Sequence, residues 1–153
     1  MTTATRTHAP VEPINDLTPR RRPRGIVARR TRTVAIKTNS LSAEFRTLHR
    51  EVEGHLRICR ATPSHDAVAC YGNLIAQRVY LSRCVDLATT AVELIDQATD
   101  LTATVKRKRY STTRHVTARS MDDHLDHLER TIVALNTTLN NLTVLTDRLD
   151  EEG

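Results

Sequence analysis

A regular alternation of apolar and polar positions runs through the C-terminal part of the chain. Large apolar side chains recur there at alternating four- and three-residue steps, interrupted only at Thr146. This spacing is a heptad repeat, which puts one narrow apolar stripe on a helix roughly 43 Å long at about 1.5 Å per residue. A stripe of this kind is typical of helix packing, and we expect partner-facing residues at Met121, Leu125, Leu128, Ile132, Leu135, Leu139, Leu142 and Leu149.

A longer helix is predicted over about 64–105, and it carries two neighbouring apolar stripes. The first stripe begins at Tyr80 and the second at Leu81. Two stripes form a face too wide for a single partner helix, so this element should be the centre of a bundle. Its expected partner-facing residues are Leu87, Leu94 and Leu101 in the first stripe and Val85, Val92 and Ile95 in the second.

A shorter helix is predicted over about 40–60, where five large apolar residues from Leu41 to Leu56 share one face. Asn39 and Ser42 offer oxygens that can cap its start, and Pro63 follows its end. Because this helix is about half as long as the 64–105 helix, part of the wide apolar face should stay uncovered in a single chain.

The turn between the two long helices is expected within 106–120. The apolar period breaks in this segment, and its Ser and Thr side chains compete with the backbone for hydrogen bonds. Ser120 is followed by Asp122 and Asp123, which predicts that Ser120 caps a helix over about 120–150. The predicted fold class is therefore all-α, a long antiparallel hairpin with a shorter preceding helix.

Residues 1–39 are expected to form a disordered basic tail, which leaves residues 40–153 as the helical domain. The tail contains four of the five prolines and nine Lys or Arg against two acids. A segment so charged and so poor in large apolar residues cannot offset the entropy of ordering. Three interpretations stay open: an import signal or nucleic-acid arm, a solvated non-specific tail and, least favoured, a mitochondrial transit peptide.

Charge is distributed unevenly along the chain, although the net charge is +5. Segments 1–39 and 106–120 carry +7 and +6, whereas 61–105 and 121–153 carry −3 and −6. Clustered cations can replace counterions on a phosphate backbone or contact an acidic protein, although a solvated helix end gives the same pattern. The candidate basic contacts are Arg20, Arg21, Arg22, Arg24, Arg29, Arg30, Arg32, Lys106, Arg107, Lys108 and Arg109.

Catalytic chemistry is not indicated. The sequence has no nucleophile elbow, no phosphate-binding glycine loop and no His-Glu metalloprotease helix. His124 and His127 are three residues apart without further ligands at helical spacing, and the His and Cys residues between His49 and Cys70 match no zinc arrangement. We therefore expect no enzyme, no catalytic residue, no metal and no cofactor.

Two functions remain. The first is a non-enzymatic assembly subunit that packs with other helical chains, preferably as a hetero-oligomer, with antiparallel self-association as the alternative. The second is a nucleic-acid-binding structural protein, such as a viral capsid or tegument component, that uses its basic clusters. No run of about 18 apolar residues predicts a membrane span. Three cysteines without a Cys-x-x-Cys pair and no apolar leader core predict an intracellular setting, nuclear or cytoplasmic and not secreted.

Overall fold

Three long α-helices make up almost all of the computed structural model, which describes residue 17, residues 25–111 and residues 115–152. Helix α1 spans Gly25–Ala61, α2 spans Ala67–Ser111 and α3 spans His115–Glu152. Each helix packs against the other two. The predicted all-α fold, a long hairpin with a shorter preceding helix, is confirmed.

The connections between the helices fix an up-down-up arrangement. Only residues 62–66 separate α1 from α2, and α3 begins four residues after α2 ends. Short links place consecutive helices antiparallel to each other, so α1 and α3 run parallel. Ion pairs join each pair of helices: Arg83 with Glu51 at 3.1 Å, Arg109 with Asp122 at 3.0 Å, and Arg148 with Glu53.

Helix α1 begins at Gly25, some fifteen residues before the predicted start near Asn39. Residues 25–39, which the composition assigned to the tail, are therefore helical. The last proline of the leader is Pro23, and a helical apolar pattern begins directly after it, with Ala28, Val34 and Ala35 all buried. The composition of residues 1–39 taken together does not show that an apolar helical pattern begins after Pro23. The rest of the predicted tail, apart from residue 17, lies outside the described residues.

The connection between α2 and α3 falls within the predicted segment 106–120, but both helices extend into that segment. Helix α2 continues through the four cations Lys106–Arg109 and ends at Ser111. Cations in the last turns of a helix are stabilised by the negative end of its dipole. Helix α3 begins at His115, so Ser120 lies inside the helix and does not cap it. Ala118 is buried seven residues before Leu125, which extends the apolar stripe into the earlier start.

The core forms two large clusters stacked along the bundle. One contains Val34 and Leu41 of α1, Leu128 and Leu135 of α3, and five residues of α2, namely Ala91, Leu94, Ala98, Leu101 and Val105. The other contains Phe45 together with residues from all three helices. Residues with small side chains, Ala91 and Ala98, are fully buried in the first cluster. They let α2 approach its neighbours closely while leucines from α3 fill the space between the helices.

The buried face of α3 is wider than the single predicted stripe. Thr131, Thr138 and Leu145 are at most 1% exposed, whereas Met121 and Leu125 of the predicted stripe are only half-buried. The cause is that α3 contacts two helices, so positions beside the heptad stripe are buried as well. The hydroxyl of Thr131 donates to the carbonyl of His127 at 2.8 Å, which satisfies this buried polar group within the helix.

Candidate partner-binding surfaces

The first turns of α2 extend beyond the end of α3. The amide of Gln77 donates to the carbonyl of Leu149 at 2.6 Å, and α3 ends only three residues later at Glu152. Because the two helices are antiparallel, residues 67–73 lie past the last turn of α3. On the α1 side, Asn73 donates to the hydroxyl of Thr62 at 3.0 Å, just beyond the end of α1.

This position explains an exposed apolar surface on α2. No residue in 67–76 is buried, although the segment contains four large apolar side chains. Val85 and Val92 continue the exposure along the side of α2 that faces away from the core, at 61% and 46%. We call this set the apolar α2 surface, and its members are Val68, Tyr71, Leu74, Ile75, Val79, Val85 and Val92.

The predicted partner-facing residues divide into three groups. Leu94, Leu101, Leu128, Leu135, Leu142 and Leu149 are buried inside the bundle, where they pack against the chain's own helices. A second group is half-buried at the edges of the core, namely Leu87, Ile95, Met121, Leu125, Ile132 and Leu139. Only Val85 and Val92 are exposed, so they alone of this set are open to another chain.

Sequence reasoning missed the five members of the apolar α2 surface between Val68 and Val79. A signal was present, because Val68, Tyr71, Ile75 and Val79 recur at three- and four-residue steps. The two predicted stripes begin only at Tyr80 and Leu81. Whether such residues face the core or the solvent depends on where the neighbouring helices end, which the periodicity of one helix does not reveal.

Ion pairs hold α2 and α3 against α1 near this end of the bundle. The two terminal guanidinium nitrogens of Arg83, Nη1 and Nη2, each donate to a carboxylate oxygen of Glu51 at 3.1 Å. This hydrogen bonding lowers the pKa of Glu51. Burial alone raises the pKa of Glu53, but its hydrogen bond to Arg148 and the charge of that residue outweigh burial and lower it. Both carboxylates are therefore stabilised in their charged form.

The opposite end of the bundle is strongly basic. A shallow groove lined by Gly25, Ala28, Val105, Lys108 and Met121 shows that the start of α1, the end of α2 and the start of α3 meet there. Two clusters that are about 75 residues apart in the sequence are thus brought to one end: Arg29, Arg30 and Arg32 on α1, and Lys106 to Arg109 on α2. We call these seven residues the basic end.

Few carboxylates neutralise the basic end. Residues 25–32, 105–111 and 115–123 together contain eight Lys or Arg and two acids, Asp122 and Asp123. Asp122 pairs with Arg109, while Arg29, Arg30 and Lys106 are exposed. The other predicted basic contacts, Arg20, Arg21, Arg22 and Arg24, lie outside the described residues. The described part alone presents a concentrated positive potential.

A groove of about 480 Å³ lies between α1 and α2, and its lining contains hydroxyl groups and carboxylates. Its hydroxyl groups are Ser40 and Thr47, and the Thr47 hydroxyl donates to the carbonyl of Ala43 at 3.3 Å. The lining also contains Glu44 and Asp86 but no histidine, lysine or cysteine that could activate a nucleophile. In the described ranges, no three His, Cys, Asp or Glu residues are placed to share a metal ion.

Three histidines near the core, His49, His55 and His124, are partly or fully buried among other side chains. The ring of His55 is 6% exposed and lies against Tyr80, with ring centroids 5.2 Å apart, and its Nε2 is 3.4 Å from the sulfur of Cys59. Burial lowers the pKa of His55 and likewise that of His49 and His124, and it raises the pKa of the Cys84 thiol. A thiol with a raised pKa is a poor nucleophile at neutral pH.

All three helices are longer than the roughly 18 residues that cross a bilayer, but in the described ranges none of them is apolar enough to do so.

No known protein family matches the chain, and neither a curated protein nor a solved structure matches it at a significant level. The chain's own surfaces are therefore the basis for assigning its function.

Proposed function

We propose that this chain is a non-enzymatic assembly subunit that packs with other helical chains through the apolar α2 surface. The observation that carries the proposal is the exposure of Val68, Tyr71, Leu74 and Ile75 on the projecting turns of α2. Side chains of this size are normally buried, and a contiguous exposed group of them is typical of an interaction site.

The chemistry of the surface favours an apolar helix as the partner. Residues 67–79 contain one charged side chain, Arg78, so the segment offers almost no charge code for selecting a partner. A helix from another chain with its own apolar stripe would cover the exposed residues and extend the bundle. We favour a hetero-oligomer, and antiparallel self-association through the same surface is the alternative.

The proposal predicts that a double substitution, Tyr71→Asp with Ile75→Asp, abolishes association of the full chain. Both residues are exposed, at 66% and 47%, so the charges should leave the bundle folded while opposing burial against another helix. Sedimentation equilibrium over a range of concentrations measures self-association, and co-purification with the partner measures hetero-association. Circular dichroism should show unchanged helicity.

A matched control is Ile36→Asp with Val133→Asp, because these residues are exposed to a similar degree, 46% and 52%, on α1 and α3. The control should associate like the natural chain. Equal loss of association in both double variants would point to a general effect of charge. A natural chain that stays monomeric and binds no helical partner in a Tyr71- and Ile75-dependent manner would contradict the proposal.

A second candidate function is binding of nucleic acid through the basic end. The specific support is the convergence of the α1 arginines and Lys106–Arg109 at one end of the bundle. Arginine guanidinium groups match phosphate oxygens in pairs, and the exposed ring of Tyr110 beside the cluster offers a stacking surface for a base. Such contacts neutralise the phosphate backbone and do not read a base sequence.

This candidate predicts that Lys106→Gln, Arg107→Gln and Lys108→Gln together weaken binding of duplex DNA and flatten its salt dependence. Each phosphate contact contributes about 0.9 to the slope of log K against log salt, so the slope should fall by roughly two to three. Fluorescence anisotropy at several salt concentrations measures both quantities.

The control removes the same charge elsewhere, as Arg50→Gln, Arg57→Gln and Arg78→Gln, since all three residues are exposed and distant from the basic end. If both triple variants lose affinity equally, net charge and not the basic end governs binding. If neither changes the slope, nucleic-acid binding by this end of the bundle is excluded.

A further inference from the structure

The residue that precedes α1 in the described part of the chain, Leu17, lies in the groove between α1 and α3. Its exposed fraction is 2%, and it forms a small apolar cluster with Ala35 of α1 and Ala134 of α3, which are 0% and 1% exposed. Two alanines facing each other leave room between the helices for a leucine side chain. The groove therefore contains a pocket that fits one apolar residue.

The backbone of Leu17 is held as well as its side chain. Its N–H donates to Oδ1 of Asn39 at 3.1 Å, and its carbonyl lies 2.8 Å from Nε2 of His127. The other ring nitrogen of His127, Nδ1, is 3.0 Å from a guanidinium nitrogen of Arg130. Arginine can only donate, so Nδ1 is the acceptor and Nε2 carries the hydrogen that His127 donates to Leu17.

These contacts are of the kinds found in peptide-recognition sites. An apolar pocket selects the side chain, while two side chains from different helices bind the N–H and the C=O of the same residue. The partners are 22 and 110 residues away from Leu17 in the sequence, so the contact is tertiary. Arg130 orients the histidine and thereby acts as a positioning residue for the site.

Gly25, the first residue of α1, has a backbone conformation that favours glycine. Gly25 has a φ of 80°, in the left-handed region that residues with a side chain rarely adopt. Leu17 lies beside Ala35, ten residues or roughly 15 Å along α1 from this glycine. Leu17 therefore lies alongside α1, roughly 15 Å from the first residue of that helix.

We propose that the groove formed by Ala35, Asn39, His127 and Ala134 is a docking site for a peptide segment that carries a leucine, and that Leu17 of the same chain is its occupant. The site holds Leu17, a residue of the predicted tail, against the bundle. It requires neither an assembly partner nor nucleic acid, and it is separate from the apolar α2 surface.

Amide hydrogen exchange of the full chain, followed by NMR, tests this proposal. The Leu17 amide should exchange about tenfold or more slowly than expected for an unprotected amide in its sequence, because opening requires a buried leucine to leave its pocket. His127→Ala and Asn39→Ala should each return the Leu17 amide close to the unprotected rate. His127→Ala is the sharper variant, because it leaves the acceptor of the Leu17 N–H in place.

Two matched substitutions control for general effects: His65→Ala at an exposed histidine and Asn140→Ala at an exposed asparagine. Both should preserve protection at Leu17, and the amide of Leu135 in the core should stay protected in every variant. A Leu17 amide that exchanges at the unprotected rate in the natural chain overturns the proposal. Protection that grows with protein concentration would also overturn it, since the occupant would then be the leader of another copy.

Discussion

Leu135→Asp should abolish cooperative folding of this chain. Leu135 is 0% exposed and belongs to the core cluster that joins all three helices. The substitution removes a buried leucine, which costs about 2–5 kcal/mol as a truncation, and adds an unpaired carboxylate to an apolar site. The sum approaches the entire stability of about 5–15 kcal/mol that is typical of a domain.

Thermal unfolding followed by circular dichroism measures this effect. The control is Val133→Asp, which makes the same change in charge two residues away on the same helix, where the side chain is 52% exposed. That variant should stay within roughly 0.5 kcal/mol of the natural chain, as surface substitutions do. A Leu135→Asp variant that melts close to the natural chain would show that α3 does not present this face to the bundle.

Phe45→Ala should lower the free energy of unfolding by about 3–5 kcal/mol. Phe45 is 2% exposed and is the only phenylalanine in the chain. It is the largest side chain in the second core cluster, and its ring also stacks on His49 with centroids 5.9 Å apart. Its neighbours in the cluster come from all three helices, namely Leu48, Val52, Leu56, Cys84, Leu142, Leu145 and Leu149.

A denaturant titration of three variants distinguishes cavity formation in the core from the general effect of truncating a large side chain on α1. Phe45→Leu fills most of the space and should cost about 1 kcal/mol. Ile36→Ala truncates a residue that is 46% exposed on the same helix, so its cost should be well below that of Phe45→Ala. If Phe45→Ala and Ile36→Ala destabilise the chain equally, Phe45 does not fill the centre of this cluster.

The heptad pattern predicted the core residues of α3 because it depends on local periodicity alone. Leu128, Leu135, Leu142 and Leu149 are all buried at the predicted spacing. The start of α1 was missed because the charge and prolines of residues 1–24 were averaged with a helical segment that follows them. Composition describes a window of sequence as a whole, and the window 1–39 included the helical residues 25–39.

Other features depend on tertiary contacts that periodicity does not encode. Thr31, Thr38 and Thr138 are at most 1% exposed, although their residue type suggests surface positions. They are buried because parallel α1 and α3 approach each other beside α2. The Leu17 site connects residues 110 positions apart, and the part of the apolar α2 surface nearest Val68 is exposed because the first turns of α2 extend beyond the end of α3. None of these relations can be read from one segment of the chain.

The length of α2 has a geometric consequence for the two proposed contacts. The apolar α2 surface is concentrated between Val68 and Val79 and the basic end includes Lys106–Arg109, so both lie on the same uninterrupted helix. At 1.5 Å per residue, the centres of these two regions are roughly 50 Å apart. Two partners bound there would not compete for space, and a rigid rod would fix their separation. The protein would then act as a spacer whose working length is set by the number of residues in α2.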